Sequence, residues 1–179
     1  NIMNLGLREK VIIVTGGAKG IGEGISESLA LESAMVAIVG RNEADNLRCI
    51  EKIQATGGQA FSFVADLSNP SECHQVVEKV ATMFGKIDGL VNNAYPRTKD
   101  WGTKFEEIEL NSWKQNVDWQ LNSYFYITQK VAIHMAEQKS GSIINMTSIY
   151  GVVGPDFSVY NGTSMTMPAA YSAIKGALV

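Results

Sequence analysis

Lys10-Val-Ile-Ile-Val-Thr-Gly-Gly-Ala-Lys-Gly-Ile-Gly22 is the stretch on which the fold of this chain turns. Lys10–Thr15 ends in a continuous apolar run, the pattern of a strand buried on both faces of a parallel sheet. Ile21–Leu31 then reads as a helix, with Ile21, Ile25 and Leu29 on one face at spacing four. The turn between them is rich in glycine. Gly16 allows a tight exit from the strand, Gly20 lets backbone approach a pyrophosphate, and Gly22 lets the helix pack on the sheet. The helix-start amides, from Ile21 onward, can hold an anion. A glycine-rich turn is weak evidence alone, because turns and close packing use glycine anyway. Its place between a buried strand and a helix makes it informative.

Outward from this unit, strand-length apolar runs alternate with amphipathic stretches, without repeats or low-complexity linkers. The chain reads as a single α/β domain over residues 1–179, a doubly wound parallel sheet. Ala34–Val39 is the second strand. Asn42 caps a helix from Glu43 to about Ala55, and Gly57-Gly58 ends it before a third strand, Ala60–Ala65. Ser68-Asn69-Pro70 signals a cap with proline at the first helical position, opening a helix to Phe84 that Gly85 stops. Ile87–Val91 is the fourth strand. One long helix runs from Asn111 to about Gln138, and Gly141 leads into a fifth strand, Ser142–Met146.

Composition narrows the function classes. The chain has 179 residues, 45% of them hydrophobic, with 17 glycines and a net charge of −3. That suits one soluble domain with a full core and lacks the basic excess that nucleic-acid backbones require. The two cysteines, Cys49 and Cys73, form no CxxC pair. Neither a disulfide framework nor a metal site is indicated, and a reducing cytoplasm fits. There is no charged-then-apolar leader, and no apolar run approaches the roughly 20 residues that span a bilayer.

The spacing TGxxxGxG, with Asp66-Leu67, Asn92-Asn93-Ala94, Ser148 and Tyr171-x-x-x-Lys175, resembles the short-chain dehydrogenase/reductase family from Val11 to the last residue. The resemblance implies a Rossmann-like fold and hydride transfer between a nicotinamide and a small-molecule carbonyl/alcohol pair. It implies that Asp66, with Leu67, borders the adenine, and that Asn93 and Ala94 border the cofactor. Tyr171 is implied as the acid/base, Lys175 as the holder of the nicotinamide ribose, and Ser148 as the residue orienting the substrate oxygen. Chemistry agrees: a phenol with ordinary pKa of about 10 is a poor base, and a lysine one helical turn away favours phenolate. Two other YxxxK matches, Tyr95–Lys99 and Tyr126–Lys130, fit less well. Pro96 breaks the first, and the second lies in the long helix, where Tyr126 is expected to pack against a neighbour.

NAD-preferring relatives place an acidic residue at the end of the second strand. Here Gly40 stands there, followed by Arg41. A guanidinium can pair with a 2′-phosphate, and Lys19 in the glycine loop could reach the same group, so NADP(H) is favoured, with NAD(H) the alternative.

Four features depart from the family pattern. Tyr95 replaces the usual glycine after Asn-Asn-Ala and puts an aromatic ring at the expected mouth of the site. Gln120 stands where the family usually has asparagine in its proton relay; either the relay is altered or Asn116 or Asn122 contributes. Pro155–Pro168 lengthens the connection between Ser148 and Tyr171, and is expected to cover substrate or meet a partner. With Asn-Asn-Ala-Tyr-Pro-Arg97, this segment resembles a family subset encoded with bacterial surface-sugar and flagellin-glycan pathways, and Arg97 or Lys99 could meet an anionic group. Finally, the chain stops four residues after Lys175, before the strands and lid that members normally carry. It is therefore expected to be a C-terminal truncation, with an exposed fifth strand and doubtful turnover, of a parent that forms homo-oligomers. Alternatives are a non-catalytic cofactor-binding or assembly module, and an enzyme like the 3-oxoacyl-carrier-protein reductases.

Overall fold

A computed structural model describes residues 5–179. The start of the chain, read above as lacking a leader, lies partly outside the described residues. Five parallel strands form one sheet: β1 (Val11–Thr15), β2 (Met35–Gly40), β3 (Gln59–Val64), β4 (Gly89–Asn92) and β5 (Ser142–Asn145). Their order is β3-β2-β1-β4-β5, and in register Ile13 pairs with Ala37 on one side and Leu90 on the other. The chain thus builds outward from β1 in one direction and then, from β4, in the other. That reversal opens a crevice beyond the carboxyl ends of β1 and β4.

The helices are α1 (Gly20–Leu31), α2 (Glu43–Ala55), α3 (Pro70–Phe84), α4 (Leu110–Val117), α5 (Ser123–Gln138) and α6 (Ala169–Ala177). Alternate β1 residues face opposite layers. Ile12 and Val14 pack with Ala30, Cys49 and Ile53, while Val11 and Ile13 pack with Val76, Val80, Ile127 and Val131. Helices therefore cover both faces, as the unbroken apolar run of β1 required. The caps follow the sequence reading: Asn42 accepts from the Asp45 amide, Asn69 accepts from the Ser71 amide, and Gly85 closes α3 at φ 71°.

Two readings need correction. The buried stripe of α1 is Gly22, Ser26 and Ala30, while Ile21 is 68% exposed and Ile25 and Leu29 are only half-buried. The helix lies so close to the glycine turn and sheet that small residues win the inner face. The expected single long helix is also interrupted, because Asp118–Asn122 forms a π-turn between α4 and α5. The Ser123 hydroxyl reaches back to the carbonyls of Trp119 and Gln120, partnering backbone groups that the wide turn displaces.

β5 lies at the sheet edge, with Ile144 53% exposed. Among the described residues, no helix is long and apolar enough to cross a membrane.

Candidate active site

The crevice at the sheet reversal encloses about 660 Å³, within the range of roughly 300–1,000 Å³ typical of small-molecule and cofactor sites. Its walls bring together most of the residues singled out in sequence. Gly16, Lys19, Ile21, Arg41, Asp66, Leu67, Asn93, Ala94, Tyr171 and Lys175 all border it.

The glycine loop adopts backbone conformations and close approaches that require glycine. Gly16 and Gly20 adopt φ of 63° and 54°, a region costly for residues with a Cβ. At Gly22 a Cβ would lie 2.2 Å from the Gly16 carbonyl oxygen, whereas beside Gly20 there is open space. Lys19 gives the first turn of α1 no side-chain cap, so the orphan amides of that turn remain available to an anion. The Asn-Asn-Ala turn locks against this loop. Asn93 Nδ2 donates to the carbonyls of Thr15 (3.0 Å) and Gly16 (3.3 Å), and the Thr15 hydroxyl accepts from the Asn93 and Ala94 amides. Asn92 bonds Thr128 and Asn145 instead, bracing β4.

At the other end, Lys175 is 5% exposed and its ammonium donates to the Met146 carbonyl. Three tyrosine rings surround it, with centroids at 5.8 Å (Tyr95), 5.5 Å (Tyr124) and 5.8 Å (Tyr171). Burial pulls the ammonium below its ordinary pKa; the aromatic faces and the carbonyl offset part of that desolvation. Close packing beneath fixes the helix: the Thr147 hydroxyl donates to the Lys175 carbonyl (2.8 Å), and a Cβ on Gly151 would lie 2.6 Å from that same oxygen. Burial also raises the Tyr95 hydroxyl to about 12 and the Tyr124 hydroxyl further. Both remain neutral phenols at ordinary pH, and Tyr171 is the tyrosine of the YxxxK helix that faces the crevice.

Tyr95 lines the crevice as expected and belongs to an aromatic wall. Its ring meets Trp101 at 5.5 Å and Tyr171 at 5.7 Å, edge to face, and carries the Arg97 guanidinium at 5.7 Å. A polar ladder on α4 and the π-turn holds this segment. Ser112 bonds Thr98 and Asp100, Asn116 accepts from the Thr98 amide and donates to its hydroxyl, and Gln120 Nε2 donates to the Pro96 carbonyl at 2.8 Å. These three residues recur every four positions and all are buried. Asn116 thus belongs to the ladder, and Asn122 Nδ2 donates to Asp118.

Other expected site residues are placed differently. Ser148 does not border the crevice, and its hydroxyl accepts from the Tyr150 amide at 3.2 Å, with no bond to Tyr171. Lys19 is paired with Asp45 at 2.6 Å rather than free. The Asp66 carboxylate accepts from the Ser68 amide and hydroxyl at the crevice rim, and the Leu67 side chain is shared with the core. Tyr126 packs on the core, as expected for the second YxxxK match. In the long connection, Met167 is buried against Tyr160, while Phe157 and Met165 are exposed.

Trp101, Tyr124 and Asp45 escaped the sequence reading. Nothing local distinguishes them; only folding brings Tyr124 to Lys175, Trp101 to Tyr95 and Tyr171, and Asp45 to Lys19.

The family model for short chain dehydrogenases matches residues 10–179. The chain belongs to the short-chain dehydrogenase family. It is 35% identical over 146 residues to the 3-oxoacyl-(acyl-carrier-protein) reductase FabG of Staphylococcus epidermidis, covering 81% of this chain and 59% of that protein. To a probable galactose dehydrogenase, GalD, of Rhizobium meliloti it is 34% identical over 157 residues, covering 87% and 60%. This short-chain dehydrogenase therefore spans about three fifths of those relatives. Among solved structures, NAD+-bound xylitol dehydrogenase superposes with a TM-score of 0.83 at 28% identity, covering 96% of this chain and 62% of that one. A metagenomic short-chain oxidoreductase in complex with NADP gives 0.82 at 28% identity, covering 96% and 72%.

Proposed function

We propose that this short-chain dehydrogenase is, or is part of, an NADP(H)-dependent oxidoreductase that interconverts a carbonyl and a secondary alcohol on a small, sugar-derived substrate. The observation that carries the reading is the buried Lys175 set among tyrosine rings, one of them Tyr171, in the same crevice as the glycine loop. A buried cation beside an accessible phenol is the arrangement a proton donor to a developing alkoxide needs.

The crevice fits a dinucleotide. The amides and glycines of residues 16–22 would hold the pyrophosphate, and Asn93 and Ala94 would border the nicotinamide half. When bound, the nicotinamide supplies or accepts the hydride. Tyr171 gives its proton to the substrate oxygen on reduction and takes it back on oxidation. Lys175 stabilises the charge that develops on the phenol oxygen, and the Tyr95–Trp101 wall excludes water from that side. Ser148, at the end of β5, would orient the substrate oxygen once its hydroxyl turns from Tyr150. Gln120 acts on the Pro96 carbonyl, which alters the relay implied by the family pattern.

Arg41 supports NADP(H), since it lines the crevice and makes no ion pair among the described residues. The likeness to proteins described as galactose and xylitol dehydrogenases supports a polyol or sugar substrate. Exposed Phe125 and Ile133 on α5 support assembly into a homo-oligomer. The two buried free cysteines suit a reducing cytoplasm.

Calorimetric titration should show NADPH binding more tightly than NADH, with Arg41→Ala removing the difference; equal affinities in the unsubstituted protein would refute the NADP(H) preference. In a ketose-reduction assay on the whole encoded protein, Tyr171→Phe should lower the rate by about 10²–10⁴-fold while NADPH still binds. Retained turnover would assign the acid elsewhere.

A further inference from the structure

Building on the dinucleotide reading, we propose that Asp45 is a cofactor-selecting residue: its carboxylate holds Lys19 away from the 2′-phosphate of NADPH and so limits the preference for NADPH over NADH. Lys19 and Asp45 both line the crevice beside Gly40 and Arg41, and their charged atoms meet at 2.6 Å. This end of the crevice carries two cations, Lys19 and Arg41, and two carboxylates, Asp45 and Asp66. A pocket that looks basic in sequence is therefore balanced in space.

The two partners are unequally held. Asp45 is only 20% exposed, sits in the first turn of α2 and has a second cation, Arg48, at 3.7 Å. A carboxylate is favoured at a helix N-terminus. Arg48 is itself anchored by donating to the Ala18 carbonyl at 3.0 Å and lies 3.7 Å from Glu23. Lys19 is 65% exposed and reaches Asp45 on a flexible stem. Lys19 is thus the partner that can leave, and Asp45 keeps a counter-charge when it does.

The cost falls on one cofactor only. The ribose of NADH presents a neutral 2′-hydroxyl, and the Lys19–Asp45 pair persists beside it. The 2′-phosphate of NADPH must draw Lys19 off Asp45 and then lie near the remaining carboxylate. Removing the carboxylate relieves both effects.

The test is a calorimetric cycle with NADPH and NADH on the unsubstituted chain, Asp45→Asn, Lys19→Ala and the double variant, with Asp45→Ser should the asparagine variant fold poorly. Asp45→Asn should tighten NADPH by about fivefold, the scale of one exposed ion pair, and leave NADH within about twofold. In the Lys19→Ala background the gain should shrink to about twofold, the remainder being direct relief of repulsion. Weaker NADPH binding in Asp45→Asn would mean that the carboxylate aims Lys19 at the phosphate, and would overturn the proposal. Equal gains for both nucleotides, or an undiminished gain without Lys19, would do the same. If the unsubstituted chain binds neither nucleotide, the dinucleotide reading itself falls; if it binds NADPH and Asp45→Asn leaves the ratio unchanged, only the selecting role is lost.

Discussion

Gly22 and Gly24 stand two positions apart on α1 and face opposite ways. A Cβ at Gly22 would lie 2.2 Å from the Gly16 backbone oxygen and 2.5 Å from the Asn93 side-chain Nδ2, whereas at Gly24 it would meet nothing within 4 Å. One substitution should therefore have two signs on one helix. Gly24→Ala should stabilise by about 0.5–1 kcal/mol through helix propensity. Gly22→Ala should destabilise by about 1–3 kcal/mol through overpacking and should abolish NADPH binding, because the loop must move. Urea unfolding and titration of both variants check this. A neutral Gly22→Ala would mean that the glycine loop has slack the geometry denies.

The interrupted helix is the element with most bearing on the site. One long helix over Asn111–Gln138 is the sequence expectation, yet Asp118–Asn122 widens into a π-turn at the place where Gln120 is buried beneath Pro96, a residue that lines the crevice. With asparagine there, the amide would be one methylene shorter; glutamine reaches the Pro96 carbonyl and adds a third contact to those that Ser112 and Asn116 make with residues 98–100. Gln120→Asn should release the top of the polar ladder. Amides of residues 95–101 should then exchange with solvent by up to about tenfold faster, the equivalent of one hydrogen bond. Amides of α5 should be unaffected, and unchanged exchange across 95–101 would show that the Pro96 contact carries no weight.

Over the whole molecule, the halves of the sheet are joined at two levels along β1 and β4. Near the crevice the Thr15 hydroxyl donates to the Val91 carbonyl and accepts from the turn after β4. At the opposite end Asp88 accepts from Lys10 Nζ (2.8 Å) and the Val11 amide (2.9 Å), with Lys86 at 3.3 Å. Burial pushes the Asp88 carboxyl upward, but the bonds from Lys10, Val11 and Lys86 outweigh it and leave the pKa below its ordinary value. A carboxylate held low in the folded state binds fewer protons than it does unfolded. Its contribution is full above the ordinary carboxylate pKa and is lost as pH falls through the lower folded value. Asp88→Asn should cost about 2 kcal/mol at neutral pH, the scale of charge-assisted hydrogen bonds. The two proteins should converge in acid. A constant gap across the acid limb would remove Asp88 from the pH dependence.

Element order, the doubly wound class, the glycine turn, the caps at Asn42 and Asn69 and the YxxxK helix were legible in sequence, because each depends on residues within a turn or two of one another. The inner face of α1 was misread because the distance between helix and sheet, not hydrophobicity, decides which side chains fit between them. The Ser112–Asn116–Gln120 ladder, the tyrosine cage around Lys175 and the Lys19–Asp45 pair came only with tertiary structure. Each joins residues from separate segments, and a charge or amide read alone in sequence carries no mark of the partner that folding brings close to it. The π-turn is local, but a helix-forming sequence carries no periodic signal for one widened turn.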